Sequence, residues 1–325
     1  MRQKIIIILT MLLLTGSINI FAQEANEIDL FKEDKQLNWK TSDTLYTYKW
    51  NEGSENWVIY QREIRTFNKK DKPMTLFLQT KDNVKDKWIN SIRTSYTYDT
   101  NGNEVQELVE VWNTDFQNWL NAELKTTGYD KVGNRSEILF QEWHRPVGEW
   151  INTMRYIIKY NHNGNQNQIV IMMYDGVKDQ WTYYRRFNME HQNRFSPPNR
   201  VVVESWESYS SEWNMQGKYE IRYNFRGDKT METRSTWNQS QKNWINGLKF
   251  NWEYNKKGDL VVNTKEKWDF SEKTWIKALK ITREYTEDGK LLIENEYRWN
   301  PQNQDWELLN KFRFSNELEG KTSGE

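Results

Sequence analysis

His144, His162 and His191 are the only imidazoles in this sequence, which carries 46 Asp and Glu residues and no cysteine. Without cysteine there is no thiolate zinc site, no cysteine nucleophile, no disulfide framework and no lipidated cysteine of a bacterial lipoprotein. His162 and His191 would fall in neighbouring turns about 10 Å apart by strand spacing, with no third ligand in reach, so no metal centre is expected. Asp99, Asn101, Asn103 and Glu104 imitate part of a calcium loop. The matching stretch Asp130-Lys-Val-Gly-Asn134-Arg135 does not, and turn chemistry accounts for both. No carboxylate pair is singled out by spacing or by an apolar setting, and nucleophile elbow, P-loop and dinucleotide fingerprints are missing. The expectation is a protein without catalytic residues, metal or cofactor.

The remaining chemistry is aromatic. Eighteen Trp, 17 Tyr and 13 Phe stand in a chain whose apolar fraction is only 36%, so rings must carry most of the burial. Their spacing is a repeat. A first slot falls at Trp50, Lys81, Trp112, Trp143, Tyr174, Trp206, Trp237, Trp268 and Trp299; a second, seven residues on, at Trp57, Trp88, Trp119, Trp150, Trp181, Trp213, Trp244, Trp275 and Trp306. Steps are 31 residues, with one of 32 between the fifth and sixth copies, and only Trp39 and Trp252 stand outside the two slots. A ring offers a flat apolar face to a sugar or a peptide, which makes Trp50, Trp57, Trp112, Trp119, Trp143, Trp150, Trp237, Trp244, Trp268 and Trp275 the candidate binding residues. Repetition also supplies a test. A residue that fills one slot in every unit is architectural or multivalent, whereas a catalytic group should be peculiar to one or two units.

Ten residues after the second Trp comes Phe67, Tyr98, Tyr129, Tyr160, His191, Tyr223, Tyr254 or Tyr285, followed by a turn with Gly102, Gly133, Gly164, Gly227, Gly258 or Gly289. A polar pair and a Gly between alternating runs is a β-hairpin signature, the Gly taking the left-handed position of a type I turn plus bulge. In the first copy Asp71 takes that place. Each unit therefore reads as strand, turn, strand and six-residue loop, with strands of about nine or ten residues. The predicted fold is all-β: nine tandem 31-residue hairpin repeats in one antiparallel meander of about 18 strands over residues 44–314.

Alternation places Trp244, Leu248, Phe250, Trp252 and Tyr254 on one face and Lys249, Asn251 and Glu253 on the other; the fourth unit repeats the pattern. Second strands are less clean, as with Val105, Val109 and Val111 opposite Leu108 and Trp112. The slots form a Trp rail at one rim and a Tyr rail near the other. With about 20–25° of twist per strand, the sheet is expected to be coiled or superhelical, partly closed, or shut into a wide barrel. An open form leaves two edges for self-association. Mid-strand Arg, Lys and Glu argue against a lipid-facing band, so the mature form is not expected to be membrane-embedded.

Met1-Arg-Gln-Lys, the apolar run Ile5 to Leu14 and a small residue at Ala22 predict a secretory signal peptide over 1–22, with the mature chain starting near Gln23. A lead-in of 23–43 and a polar tail of 315–325 flank the repeats. Equal numbers of basic and acidic groups, 46 each, disfavour a nucleic-acid partner. The repeat is broken at Lys81, at Tyr174, and in the fifth turn, where His191-Gln-Asn-Arg194-Phe195-Ser-Pro197-Pro198 protrudes.

The unit Trp-(six residues)-Trp followed by Tyr98-Asp99-Thr-Asn-Gly102-Asn103, with Tyr129-Asp130 in the next copy, resembles the tandem Tyr-Asp repeats of secreted and surface bacterial proteins. More distantly it is similar to the YD repeats of RHS proteins, whose repeats build large coiled β-sheets. Tyr160-Asn161, Tyr223-Asn224, Tyr254-Asn255 and Tyr285-Thr286 depart from the pair, and the 31-residue unit is longer than the RHS repeat. The resemblance implies an extracytoplasmic β-repeat scaffold and assigns no catalytic residue. The sequence thus predicts an exported, non-catalytic scaffold of the periplasm or cell surface with a protein or glycan ligand, a carbohydrate-binding module on the Trp rails being the alternative and a polysaccharide-acting enzyme the third reading.

Overall fold

The computed structural model describes residues 44–194 and 196–315. The signal segment 1–22, the lead-in 23–43 with Trp39, Phe195 and the tail beyond Ser315 lie outside the described residues.

No helix occurs among the described residues. The strands are β1 (Thr44–Asn51), β2 (Asn56–Phe67), β3 (Pro73–Asp82), β4 (Lys87–Tyr98), β5 (Glu104–Asn113) and β6 (Asn118–Tyr129). Then come β7 (Arg135–His144), β8 (Glu149–Tyr160), β9 (Gln166–Asp175), β10 (Gln180–His191), β11 (Pro198–Glu207) and β12 (Glu212–Tyr223). The last six are β13 (Lys229–Asn238), β14 (Asn243–Tyr254), β15 (Leu260–Asp269), β16 (Thr274–Tyr285), β17 (Leu291–Asn300) and β18 (Asp305–Ser315). Each strand pairs with its chain neighbours in one 18-stranded antiparallel meander. β1 also pairs with β18, Tyr46 opposite Ser315 and Lys49 opposite Phe312. The open coiled or superhelical sheet is therefore replaced by a closed one. The edges that would have invited self-association are bonded to each other, which satisfies their backbone groups.

By packing, the chain divides into two compact units. One holds residues 61–250 and 267–275; the other holds the described residues up to 60 with 251–266 and 276 onward.

Two bulges per repeat set the faces. The residue three after the second Trp slot, as Ser91, Ala122, Thr153, Tyr184, Gln216 and Leu309, is skipped by the cross-strand register. So is the second residue of the odd-numbered strands, as Met74, Val105, Ser136, Asn167, Asn199, Thr230 and Leu292. A bulge adds one residue and reverses the parity of everything beyond it. This corrects the expected faces. The Trp slots do not share a face with Leu248, Phe250, Trp252 and Tyr254; they lie with the charged residues, Lys249 Nζ standing 5.1 Å from the Trp275 ring. The second bulge explains why alternation in the odd-numbered strands is hard to read.

The opposite face carries the core of the larger unit. A cross-strand row Ile158, Ile169, Phe187 and Val203 spans β8 to β11, with Ile169 and Phe187 fully buried. In the smaller unit equivalent positions hold Lys265 and Glu296, both buried.

Candidate functional site

All nine slot pairs meet across their loop. Trp50 and Trp57, Trp112 and Trp119, Trp143 and Trp150, Trp237 and Trp244, and Trp268 and Trp275 pack edge to face with centroids 4.9–5.5 Å apart. Trp206 with Trp213 and Trp299 with Trp306 do the same, and Tyr174 replaces Trp against Trp181 at 5.2 Å. Such offset geometry matches the ring quadrupoles. Lys81 keeps the pair in another form, its ammonium 5.3 Å from the Trp88 centroid and 2.7 Å from Asp86. Every slot Trp is half-buried.

Sequence reasoning missed a third slot. Five residues after the second Trp stand Arg62, Arg93, Arg155, Arg186, Lys218, Lys249, Lys280 and Lys311, a cation in eight of nine copies, with Leu124 the exception. Seven of these cations lie over the second Trp of the following repeat. Arg62 covers Trp88 at 4.6 Å, Arg93 covers Trp119 at 5.0 Å and Arg186 covers Trp213 at 4.7 Å. Lys218 covers Trp244 at 5.6 Å, and Lys280 covers Trp306 at 4.9 Å. Across the β1–β18 junction Lys311 of the last repeat lies 5.6 Å from Trp57 of the first, with Arg313 nearer at 5.2 Å. The cations also bind acids or amides beside them, Arg93 gripping Glu110 with two bonds of 2.5 Å, Arg186 holding Glu204 and Arg62 holding Gln79. The signal was present in the sequence as a 31-residue period, hidden because the bulge makes the cation look as if it faced away from the Trp.

At the other rim the aromatic slot is a clip. Tyr98, Tyr129, Tyr160, Tyr223 and Tyr285 each donate their hydroxyl to a carbonyl 25 residues earlier, those of Pro73, Glu104, Arg135, Pro198 and Leu260, at 2.7–2.9 Å. His191 reproduces the contact with Nε2 2.7 Å from the Gln166 carbonyl, while its Nδ1 lies 2.6 Å from the carbonyl of Ser196. Burial raises the hydroxyls of Tyr129, Tyr160 and Tyr285, and burial with Glu104 and Glu107 pushes Tyr98 up to about 12. They stay neutral donors.

The residue after the clip accepts backbone N–H groups two or four residues on, which Asp99, Asp130, Asn161, Asn224 and Asn255 do equally well. Only an acceptor oxygen is needed, so the Tyr-Asp pair alternates with Tyr-Asn. A second bond crosses the turn from Asn103 to Asp99 and, with the types exchanged, from Asn224 to Asp228. Asp99 and its relatives are thus turn residues. Among the described residues no cluster of three His, Asp or Glu is placed to hold a metal.

One carboxylate pair breaks the repeat in mid-strand, apart from Glu207 opposite Glu212 at a loop end. Glu123 of β6 lies directly opposite Glu142 of β7; burial, then Glu142 and Glu107, raise the Glu123 carboxyl above its ordinary value.

No family model matches the sequence, and no curated protein matches it. Solved structures resemble it loosely. A porin-like protein from Bacteroides uniformis aligns at a TM-score of 0.37 and 8% identity, over 84% of this chain and 97% of that one. A DUF3836 family protein from Bacteroides vulgatus aligns at 0.26 and 19%, over 29% and 91%. The TcdB2-TccC3-TEV structure aligns at 0.17 and 10%, over 76% and 17%.

Proposed function

We propose that the chain is an exported, non-catalytic β-repeat scaffold that binds a ligand or gives structure in the cell envelope, in the periplasm or at the surface. The observation that supports this is the engagement of the repeated side chains: slot rings, cations and clip hydroxyls bond the neighbouring repeat. Expression in a Gram-negative host followed by fractionation and intact mass tests the location. The mature species should begin at Gln23 and leave the cytoplasm. A cytoplasmic chain that retains Met1 overturns the reading, as does turnover of any polysaccharide by the purified protein.

The half-exposure of the ten candidate Trp favours one further reading, a carbohydrate-binding module on the rail. In most repeats a guanidinium or ammonium already covers the second Trp of the pair, so a sugar has the first-slot rings to stack on. Saturable tryptophan quenching by a glycan, lost on Trp112→Ala, is the expected result; a flat response across a panel removes this reading.

A further inference from the structure

Two shallow, open clefts occur at one place in the repeat, between successive turns at the Tyr rim. One, of about 500 Å³, is lined by the first turn and the end of β4, with Lys69, Lys70, Lys72, Met74, Tyr96 and Tyr98. The other, of about 640 Å³, is lined by the seventh turn and the end of β16. These two turns are also the ones whose middle positions hold a Lys pair, Lys69-Lys70 and Lys256-Lys257; the others read Thr100-Asn101, Lys131-Val132, His162-Asn163, Phe225-Arg226 and Glu287-Asp288, and the longer fifth turn opens with Gln192-Asn193-Arg194.

The clefts differ in charge and floor. In the seventh-turn cleft Lys256, Lys257 and Arg283 are matched by Asp259, Glu284 and Glu287, and Lys257 donates to the Glu287 carbonyl at 2.6 Å. The lining of the first-turn cleft has three lysines against Asp99, with the exposed Asp71 between Lys70 and Lys72 in the same turn. Asp99 accepts the N–H and the amide of Asn103. The nearby acids Glu104 and Glu107 are both ion-paired to Lys125. Its floor is Tyr96, where Arg283 stands in the other cleft. Tyr96 is peculiar to this repeat, the slot otherwise reading Arg65, Thr127, Ile158, Met189, Ile221, Trp252, Arg283 and Phe314. This combination is peculiar to one unit, as a functional group should be.

We propose that the first-turn cleft binds a carboxylate- or sulfate-bearing saccharide, the exposed Lys69 and Lys70 meeting the anion and Tyr96 offering the apolar floor for the sugar ring. Lys72 closes the wall, since it donates to the Gly102 carbonyl and lies 5.3 Å from the Tyr98 ring. An aromatic face with two cations recognises the ring and its charge together, which inorganic anions cannot match. The site rests on the binding half of the scaffold reading. It is tested on purified protein, so failure of export leaves the test intact.

Calorimetric titration with a galacturonic acid trisaccharide, a sulfated galactose trisaccharide and their neutral counterpart is the experiment. Saturable binding of at least one charged probe is expected, weakening as salt rises from 50 to 300 mM, with no detectable binding of the neutral sugar. The double change Lys69→Ala, Lys70→Ala should weaken it about tenfold or more. Lys256→Ala, Lys257→Ala should leave it within about twofold. Tyr96→Ala should weaken it and Tyr96→Phe should retain it, the latter distinguishing a lost floor from a misfolded chain. Which charged probe binds more tightly tells the carboxylate from the sulfate ligand. Absence of saturable binding by both charged probes, equal binding of the neutral sugar, or full competition by inorganic sulfate at equal concentration overturns the proposal.

Discussion

At the scale of single residues, the rim geometry turns on hydroxyls and on left-handed backbone. The clip tyrosines each make one bond to a neighbouring repeat, part-buried at Tyr129, so Tyr129→Phe should lower stability by about 0.5–1.5 kcal/mol in urea titration, and a null result would show the bond to be incidental. Every loop between Trp slots holds a left-handed residue two before the second Trp: Glu55, Asp86, Gln117, Gly148, Asp179, Ser211, Lys242, Lys273 and Gln304. Only one is Gly, so the sequence disclosed these loops by their place between the Trp slots and not by a residue suited to left-handed backbone. At Gly133, with φ 91°, an added Cβ meets nothing within 4 Å, so Gly133→Ala isolates backbone strain. It should cost about 1 kcal/mol, whereas Gly128→Ala on β6, where the new Cβ finds the Glu137 Cβ at 3.6 Å, should be neutral or slightly stabilising. Equal effects at the two sites would refute the assignment.

At the scale of strands and hairpins, the stacked cation is the part of the design that alternation concealed. Leu124 occupies its slot in the third repeat, opposite Gln141, just as Arg62 lies opposite Gln79. Leu124→Arg should therefore gain about 0.5–1 kcal/mol through a stack on Trp150, and a loss of stability would mean that the slot is not transferable. Glu123 and Glu142 form the opposite case, like charges on adjacent strands. Because the folded Glu123 carboxyl is raised, protonation is favoured in the fold. The penalty is absent below the unfolded carboxylate value and complete above the folded one. Glu123→Gln should stabilise the protein at pH 7 and make no difference near pH 3. A gain that is constant with pH would assign the effect to something other than charge. The Trp slots, the Tyr slot and the turn Gly were legible because each recurs at 31 residues. The facing of the slots was not, since a bulge leaves no residue type as its mark.

At the scale of the whole chain, closure of the ladder is the testable feature. The absence of cysteine gives a clean background for Tyr46→Cys with Ser315→Cys, a cross-strand pair of β1 and β18. Oxidation should join them within the monomer, seen as faster migration on a non-reducing gel, because paired strands bring Cα atoms within disulfide reach. Only intermolecular dimers, or no bond at all, would mean that the sheet is open. The junction is offset by two residues from the others, Lys49 facing Phe312 where the residue before a first slot elsewhere faces the fourth after the second Trp, and it still sets Lys311 and Arg313 over Trp57.

The sequence by itself determined the all-β repeat, its period, the hairpin turns, the two Trp slots and the approximate strand limits, since each follows from local propensity and recurrence along the chain. Tertiary structure alone decided that β1 meets β18, that the Trp lie with cations rather than with the aliphatic core, and that Tyr96 shares a cleft with Lys69 and Lys70. The first is a contact between the two ends of the repeat array, where accumulated twist must match strand number. The second depends on one unpaired residue that reverses parity. The third joins side chains from different hairpins, and no pattern within either one contains it.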